Sequence, residues 1–169
     1  MGAGILPVAL YRGTLFLLLG QERNNLWSDF GGSSHKGEKP FKTAVREGTE
    51  ELNGFFGSEE IMEKEINNNM VLSICYNKYT SYIYRSKYNK ELPNYFINNN
   101  KFIEKQAPQI INNKHNGLYE KKIIKWFPIY KFKDDNNIAK LRPHYINHIE
   151  SILKNDKFII KQIKQIENN

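Results

Sequence analysis

Short apolar runs separated by polar, turn-forming residues dominate the first half of the chain, and this pattern predicts β-strands. The clearest case is a pair of runs on either side of Tyr11-Arg12-Gly13, which predicts a β-hairpin. A second hairpin is predicted to turn at residues 77–80. The predicted strands are residues 4–10, 14–20, 26–30, 71–76, 81–85 and 121–130.

Helical periodicity and helix-end signals alternate with these strands. Pro40 suits the first turn of a helix, and Ser58 followed by two glutamates suits the start of another. Residues 86–116 are polar and long for a connection, so part of them is expected to be an insertion near the substrate or a mobile loop. The predicted helices are residues 40–52, 58–69, 93–104, 143–154 and 158–166.

Three carboxylates are predicted to share one face of the helix at residues 40–52. At about 100° per residue, Glu47, Glu50 and Glu51 fall in one narrow sector. Their mutual repulsion calls for compensation, and hard oxygen ligands suit Mg²⁺ or Mn²⁺. The alternative is a solvated acidic face on which Arg46 pairs with Glu50.

The spacing around this helix resembles a known motif. Gly32 is followed after five residues by Glu38, and after seven more by Arg46-Glu47-x-x-Glu50-Glu51. This resembles the Nudix box, whose leading glycine and charged positions all match. The resemblance implies the α/β Nudix fold, an α/β/α sandwich around a mixed sheet. We therefore expect residues 1–169 to form a single domain of this kind.

Three positions depart from the box. Gly48 stands where a bulky apolar residue is usual, which costs about 1 kcal/mol of helix propensity relative to alanine and is expected to leave a gap in the core face. Asn53 replaces the second glycine and Gly54 the final aliphatic residue. Because asparagine tolerates the left-handed conformation, Asn53-Gly54 is still expected to end the helix.

The resemblance also implies roles for the matching residues. Glu47 and Glu51 would bind the metal, Glu50 would be a further ligand or the proton acceptor, and the Gly32 carbonyl would complete the site. Glu38 and Arg46 would be structural, with Arg46 holding the loop to the helix.

Many members of the family add a carboxylate from outside the box. Glu120 is the best candidate because it precedes the strand that leads to Trp126-Phe127-Pro128, and Glu91 and Glu104 are alternatives. An ordinary surface glutamate is the other interpretation of Glu120.

The candidate substrate-binding residues lie near the box. Lys36 and Lys39 could contact phosphate oxygens or be solvated, and Asp29 could bind a base or cap the loop. Trp27 and Phe30 could stack on a base or belong to the core.

Charge and cysteine content bear on the binding partners of the protein and on its redox environment. Residues 1–100 carry 11 basic and 11 acidic side chains, whereas residues 101–169 carry 14 and 7, so the net charge of +7 arises in the last part. Such a surface attracts anionic substrates or nucleic acid, although the richness in Asn, Lys and Ile is also typical of AT-rich coding sequences, such as those of some large DNA viruses. The single cysteine, Cys75, fits a reducing compartment and is expected to be buried.

No apolar run is long enough for a membrane span, so we expect a cytoplasmic protein; a homodimer remains open. The first functional hypothesis is a metal-dependent hydrolase that splits a free nucleoside triphosphate, such as one with an oxidised guanine base, into the monophosphate and pyrophosphate. The second is an mRNA-decapping hydrolase that releases 7-methyl-GDP from capped RNA. The third is a Nudix-fold binding module without catalysis.

Overall fold

A mixed β-sheet forms the centre of the protein. The computed structural model describes residues 1–113 and 117–168. The last three residues of the predicted insertion, 114–116, which include His115, therefore lie outside the described residues. The strands are β1 (Gly2–Tyr11), β2 (Thr14–Gln21), β3 (Trp27–Ser28), β4 (Phe30–Ser33), β5 (Met70–Tyr76), β6 (Tyr79–Arg85) and β7 (Ile123–Pro128).

Helices follow the strands in the predicted alternation. The predicted helices are confirmed to within about two residues, except that the first turn of the one at residues 143–154 is a 3-10 helix, Pro143–Tyr145. The helices are α1 (Pro40–Glu51), α2 (Glu59–Asn69), α3 (Leu92–Gln106), α4 (Pro108–Asn112), α5 (Asp135–Ile138), α6 (Ile146–Lys154) and α7 (Asp156–Glu167).

The N-terminal strand β1 is the centre of the sheet. It pairs in parallel with β6 and antiparallel with β2 and β4, while β7 pairs with β2 and β5 with β6. Ile5 and Ala9 belong to one core cluster and Leu6 and Val8 to the other, because successive side chains of a strand point to opposite faces. Both faces of β1 are therefore buried.

Helices cover both faces of the sheet. Residues of α1, α2 and α3, among them Val45, Met62 and Phe96, pack on one face. Residues of α6 and α7, among them Ile149 and Ile159, pack on the other. This arrangement confirms the predicted α/β/α sandwich around a mixed sheet.

Two packing predictions are wrong. The gap expected at Gly48 is filled by Ile5 of β1, whose side chain occupies the space that a Cβ at position 48 would need. Cys75 is exposed rather than buried, because it lies near the turn end of β5, the last strand in the sheet order. Its neighbour Ile74 points to the opposite face, where it packs on the core.

No helix in the described ranges is both long enough and apolar enough to cross a membrane.

Candidate metal and nucleotide site

Helix α1 sets out the candidate site along one edge of the sheet. It begins at Pro40, after the loop that follows β4, and it packs against β1 where Ile5 meets Gly48. At the other end, Asn53 and Gly54 both have positive φ values, 51° and 70°, so the predicted helix end is confirmed. The helix thereby presents its carboxylates to the Gly31-Gly32 segment of β4.

Arg46 and Glu38 form a two-pronged ion pair. The Nε and Nη2 atoms of Arg46 donate to Glu38 Oε1 and Oε2, both at 3.0 Å. Glu38 also accepts from the His35 amide and the Thr43 hydroxyl, each at 2.9 Å, and Arg46 donates to the Ser33 carbonyl. Because the hydrogen bonds from Arg46 favour the ionised carboxylate, they lower the pKa of Glu38 to about 2. The pair holds the loop after β4 against α1.

Glu47 and Glu50 share the remaining donor of Arg46. Its Nη1 atom lies 2.9 Å from Glu47 Oε1 and 3.2 Å from Glu50 Oε2. A Cβ on Gly32 would lie 2.5 Å from Glu47 Oε2, and one on Gly117 would overlap the Glu50 carboxylate. Both glycines therefore give these carboxylates the space that they occupy. Burial raises the pKa of Glu50.

Glu51 turns away from the other two carboxylates into the interior. Its side chain is buried, with Oε2 accepting from the Gly31 amide at 2.7 Å and Oε1 lying 3.2 Å from Lys121 Nζ. Burial raises the pKa of Glu51 to about 8, because the loss of hydration outweighs the opposing effects of Lys121 and the Gly31 amide. A raised pKa in a carboxylate at a cleft is typical of functional sites.

Lys121, which the sequence analysis did not single out, is the buried cation of the site. It is wholly inaccessible to solvent, and its Nζ atom also donates to Ser28 Oγ at 3.0 Å and to Glu22 Oε1 at 3.3 Å. Gly20 leaves room for its aliphatic chain, since a Cβ there would lie 2.8 Å from Lys121 Cδ. No sequence signal marked this lysine, because its partners are distant in the chain and a fully buried lysine is rare.

Glu120 lies at the exposed rim, one residue before Lys121. Partial desolvation raises its pKa, and the negative charge of Glu47 raises it further. This effect of the Glu47 charge indicates that Glu120 lies near the α1 carboxylates. The two alternatives are placed differently: Glu91 accepts a hydrogen bond from Asn94 at the start of α3, and Glu104 lines a cavity beside Lys121.

Three of the predicted substrate contacts are contradicted by burial. Phe30 is fully buried in the core, and Trp27 is buried edge-on against Phe127 at a centroid distance of 4.8 Å. Asp29 is buried and accepts hydrogen bonds from Tyr79 and Ser81. The side chains of these three residues all point into the core, so they have no free surface on which a base could bind.

The two box-loop lysines remain candidates for phosphate contact. Lys36 and Lys39 are exposed in the loop between β4 and α1. Their position is compatible with either phosphate binding or simple solvation, so the sequence-based expectation stands as a prediction.

The backbone contribution assigned to Gly32 is also corrected. A Cβ on Gly2 would lie 2.8 Å from the Gly32 oxygen, so this carbonyl faces β1 within the sheet. Gly31 is oriented the other way, since its amide donates to Glu51. In an extended strand the amide and carbonyl of one residue point to the same side, so the Gly31 carbonyl is the one on the side of the carboxylates.

The donor set fits a hard divalent cation in kind. Glu47, Glu50 and Glu51 offer six carboxylate oxygens from one turn and a half of helix beside the Gly31 backbone, and oxygen ligands suit Mg²⁺ or Mn²⁺. Within the described part of the chain, no three acidic, histidine or cysteine side chains converge as a ready-made metal cluster. Arg46 contacts Glu47 and Glu50 while Lys121 contacts Glu51, so the three side chains would have to reorient to share one ion.

Two cavities with shared lining residues lie next to Lys121 and Glu120, and none of Glu47, Glu50 and Glu51 lines either of them. One, of about 580 Å³, lies between α3, α4 and the start of β7, with Lys121 in its wall. The other, of about 510 Å³, is lined by Glu22 and Glu120 among others, and both cavities include Arg23 and Tyr119. Together they form a cleft of the size that small-molecule ligands occupy.

Comparisons with known proteins gave matches only among solved structures. No family model matches this chain, and no curated protein sequence does. A Nudix hydrolase from M. smegmatis, RenU, is 13% identical and aligns over 92% of this chain and 85% of its own, with a TM-score of 0.49.

Two further structures show similar agreement. A C. elegans Ap4A hydrolase is 15% identical over 99% of this chain and 96% of its own, with a TM-score of 0.43. The NUDIX domain of Shewanella oneidensis NrtR, solved with ADP ribose, is 11% identical over 97% and 85%, with a TM-score of 0.40. At these levels of similarity, the assignment of a site to this chain rests on its own residues.

Proposed function

We propose that this chain is a divalent-cation-dependent hydrolase that cleaves phosphoanhydride bonds in nucleoside diphosphate-linked substrates. One observation carries the proposal: Glu47, Glu50 and Glu51 lie within two turns of α1 beside Gly31-Gly32, held by Arg46 and Lys121. A merely solvated acidic face would not bury Glu51 against a buried lysine.

Glu47, Glu50 and Glu51 would hold the cation, with the Gly31 carbonyl as the backbone ligand. Mg²⁺ or Mn²⁺ bound there would neutralise phosphate oxygens and lower the pKa of a bound water. The Glu38–Arg46 pair holds the loop after β4 against α1 and so keeps these ligands in place.

The proton of the attacking water needs an acceptor at the open side of the site. Glu50 and Glu120 both have raised pKa values, which makes each a better base than an ordinary surface carboxylate. Lys121 holds Glu51 in place from the interior, out of reach of solvent. Glu47 and Glu51 would therefore bind the cation, and either Glu50 or Glu120 would accept the proton, with Glu50 a further cation ligand if Glu120 is the acceptor.

Free nucleoside triphosphates, including those with an oxidised guanine base, are the first substrates to test, with the nucleoside monophosphate and pyrophosphate as products. Decapping of mRNA is the second candidate. It is favoured by the excess of basic residues after position 100 and by the cavity that α3 and α4 form next to Lys121.

A substrate panel tests the proposal. Nucleoside triphosphates, oxidised nucleotides, dinucleotides, nucleotide sugars, diphosphoinositols and capped RNA are incubated with Mg²⁺ or Mn²⁺, and products are separated by ion-exchange chromatography. We expect metal-dependent hydrolysis that Glu51→Gln reduces about a thousandfold and that the exposed control Glu60→Gln on α2 leaves unchanged. If no compound is hydrolysed, or if Glu51→Gln does not change the rate of hydrolysis, the proposal is contradicted. Binding of a compound without its hydrolysis would favour the non-catalytic module.

A further inference from the structure

A short segment without regular helix or strand, residues 117–121, runs beside the carboxylates of α1. Its first residue, Gly117, lies against Glu50, since a Cβ there would overlap the Glu50 carboxylate. Its last residue, Lys121, contacts Glu51. The path of this segment therefore determines which of its side chains reach the candidate site.

Glu120 is the acidic residue of this segment, and its side chain is exposed. The charge of Glu47 raises its pKa, so the two carboxylates are close to each other. Among the residues that the structure describes, the Glu120 carboxylate has no hydrogen-bond or ion-pair partner. Its place beside the α1 carboxylates is therefore set by its backbone.

Two asparagines hold the backbone on either side of Glu120. On one side, Asn53 Oδ1 accepts from the Tyr119 amide at 2.8 Å. On the other side, Asn100 Nδ2 donates to the Lys121 carbonyl at 3.0 Å. The two asparagines are joined to each other, because Asn53 Nδ2 donates to Asn100 Oδ1 at 3.0 Å. The residues before and after Glu120 are thus fixed to the end of α1 and to α3.

The backbone at Tyr119 requires support of this kind. Its φ value is 61°, in the left-handed region that a bulky residue keeps only where its surroundings enforce it. Asn53 also has a positive φ value, 51°, which glycine and asparagine both adopt at a helix end. Glycine, the usual residue of the box at this position, would satisfy the helix end equally well. The asparagine side chain adds the contact with Tyr119.

We propose that Asn53 is a positioning residue: through Tyr119 and Asn100 it places Glu120 where this carboxylate accepts the proton of the attacking water. As the water oxygen bonds to phosphorus, its proton passes to Glu120. The bond from phosphorus to the bridging oxygen breaks, and its electron pair leaves with the departing phosphate. The inference rests on the proposed function and selects Glu120 from the two candidate acceptors, because Glu50 is already bound to a guanidinium group.

The other end of the segment depends less on Asn53. Lys121 Nζ donates to Ser28 Oγ at 3.0 Å and to Glu22 Oε1 at 3.3 Å, and neither contact involves an asparagine. Removal of the Asn53 side chain should therefore displace Glu120 and leave the Lys121 side chain in place.

The test replaces Asn53 with glycine, which keeps the left-handed backbone and removes both hydrogen bonds. We expect Asn53→Gly to lower kcat roughly ten- to a hundredfold, as for a misplaced catalytic group. KM, and the Kd for Mn²⁺ measured by electron paramagnetic resonance, should stay within about twofold, since Asn53 contacts none of the α1 carboxylates. Activity is measured on the compound of the substrate panel that is hydrolysed fastest.

The matched control is Asn77→Gly in the turn between β5 and β6. Asn77 is exposed and also has a positive φ value, 46°. This variant makes the same chemical change at a left-handed position outside the site. It should leave kcat, KM and the Kd for Mn²⁺ unchanged.

Two further measurements separate positioning from a general loss of structure. In a Glu120→Gln background, Asn53→Gly should cause no further loss of kcat, because the group that Asn53 positions no longer accepts a proton. Hydrogen exchange of the Tyr119 amide, followed by NMR, needs no activity. Asn53→Gly should accelerate this exchange about tenfold, the effect of one lost hydrogen bond, and Asn77→Gly should not.

The outcomes distinguish this inference from the proposed function. If Glu120→Gln leaves kcat unchanged, or if Asn53→Gly lowers kcat equally in both backgrounds, the positioning role is overturned while the hydrolase stands. Unchanged exchange at Tyr119 in Asn53→Gly would overturn it as well. If the exchange accelerates in a protein that hydrolyses none of the compounds, the hydrogen bond is confirmed, and the catalytic role fails together with the proposed function.

Discussion

The two ion pairs that flank α1 differ in what their surroundings do to the carboxylate. On the outer side, Arg46 lowers the pKa of Glu38 to about 2. On the inner side, the pKa of Glu51 is raised to about 8 although Lys121 lies 3.2 Å away. Both pairs join a glutamate to a cation, so the nature of the partner does not decide the sign.

Hydration and hydrogen-bond donors account for the difference. Glu38 keeps some contact with water and accepts from Arg46, the His35 amide and Thr43, all of which favour its charged form. Glu51 is buried, and its partners among the described residues are Lys121 and the Gly31 amide. The Glu38–Arg46 pair therefore stabilises the contact between the loop and α1. The Glu51 carboxylate, by contrast, lacks part of the positive charge that would stabilise its ionised form.

The Glu51–Lys121 pair and the Glu38–Arg46 pair should differ most in how their loss affects catalytic activity. Glu51→Gln should reduce kcat about a thousandfold, the scale of losing a principal electrostatic contributor, because a proposed metal ligand disappears. Glu38→Gln should reduce kcat only about tenfold, since it loosens the loop without touching the substrate. Steady-state kinetics under saturating Mg²⁺ checks both values, and equal losses would erase the distinction between the two pairs.

The inner pair should dominate stability at high pH. Lys121→Met leaves the buried Glu51 without its cation and should lower the free energy of unfolding by about 3–5 kcal/mol at pH 9. The pKa of Glu51 is raised in the folded state, so its contribution is complete below its ordinary value of 4.5 and is lost as the pH rises through about 8. The loss should therefore be smaller at pH 6.

Urea unfolding at the two pH values measures this dependence. The matched control is Lys122→Met, which removes the exposed neighbouring lysine and should change the free energy of unfolding by less than about 0.5 kcal/mol. The same loss at pH 6 and pH 9 for Lys121→Met would show that Glu51 is not the group left unpaired.

The stability contributed by the Glu38–Arg46 pair should depend on its hydrogen-bond geometry more than on its charge. Arg46→Lys keeps the charge but cannot reproduce the two parallel hydrogen bonds to Glu38, so it should cost about 1–2 kcal/mol of stability. Lys42→Arg, at the exposed Lys42–Glu63 pair, should cost almost nothing. Thermal unfolding of the two variants compares them, and equal melting temperatures would mean that the fork to Glu38 contributes little.

The smallest effect should be the acid response of Glu38. Its pKa is lowered in the folded state, so its stabilisation is present above its ordinary value of 4.5 and is lost as the pH falls through about 2. Unfolding followed between pH 5 and pH 2 should show a decline that is shallower in Glu38→Gln. An unchanged slope would place the acid sensitivity elsewhere.

Spacing along one helix and its preceding loop carried most of what could be predicted. Glu38, Arg46 and the α1 carboxylates are close in sequence, so helix geometry and the box pattern bring them together before any tertiary contact is known. The fold followed from the same pattern and from the alternation of strands and helices. The length of residues 86–116 indicated an insertion, which stays a prediction, and it gave no sign of the contacts that these residues make.

What the sequence could not predict depends on contacts between distant segments. Lys121 meets Glu51 and Glu22 only because β7 pairs with β2, and nothing in the local pattern marks it as buried. Asp29 and Phe30 stand beside the glycines of the box, where exposure was plausible, yet the packing of β4 on β1 turns them inward.

The position of β1 at the centre of the sheet has a consequence for how the protein folds. Gly2 pairs with Tyr79 in the parallel β1–β6 ladder, so the first strand cannot be completed until a long loop of chain has closed. Such closure precedes the contacts that reward it and slows folding. Because α1 packs on β1 through Gly48 and Ile5, the carboxylate site should assemble late, and a refolding chain should gain helical signal before it gains the ability to bind metal.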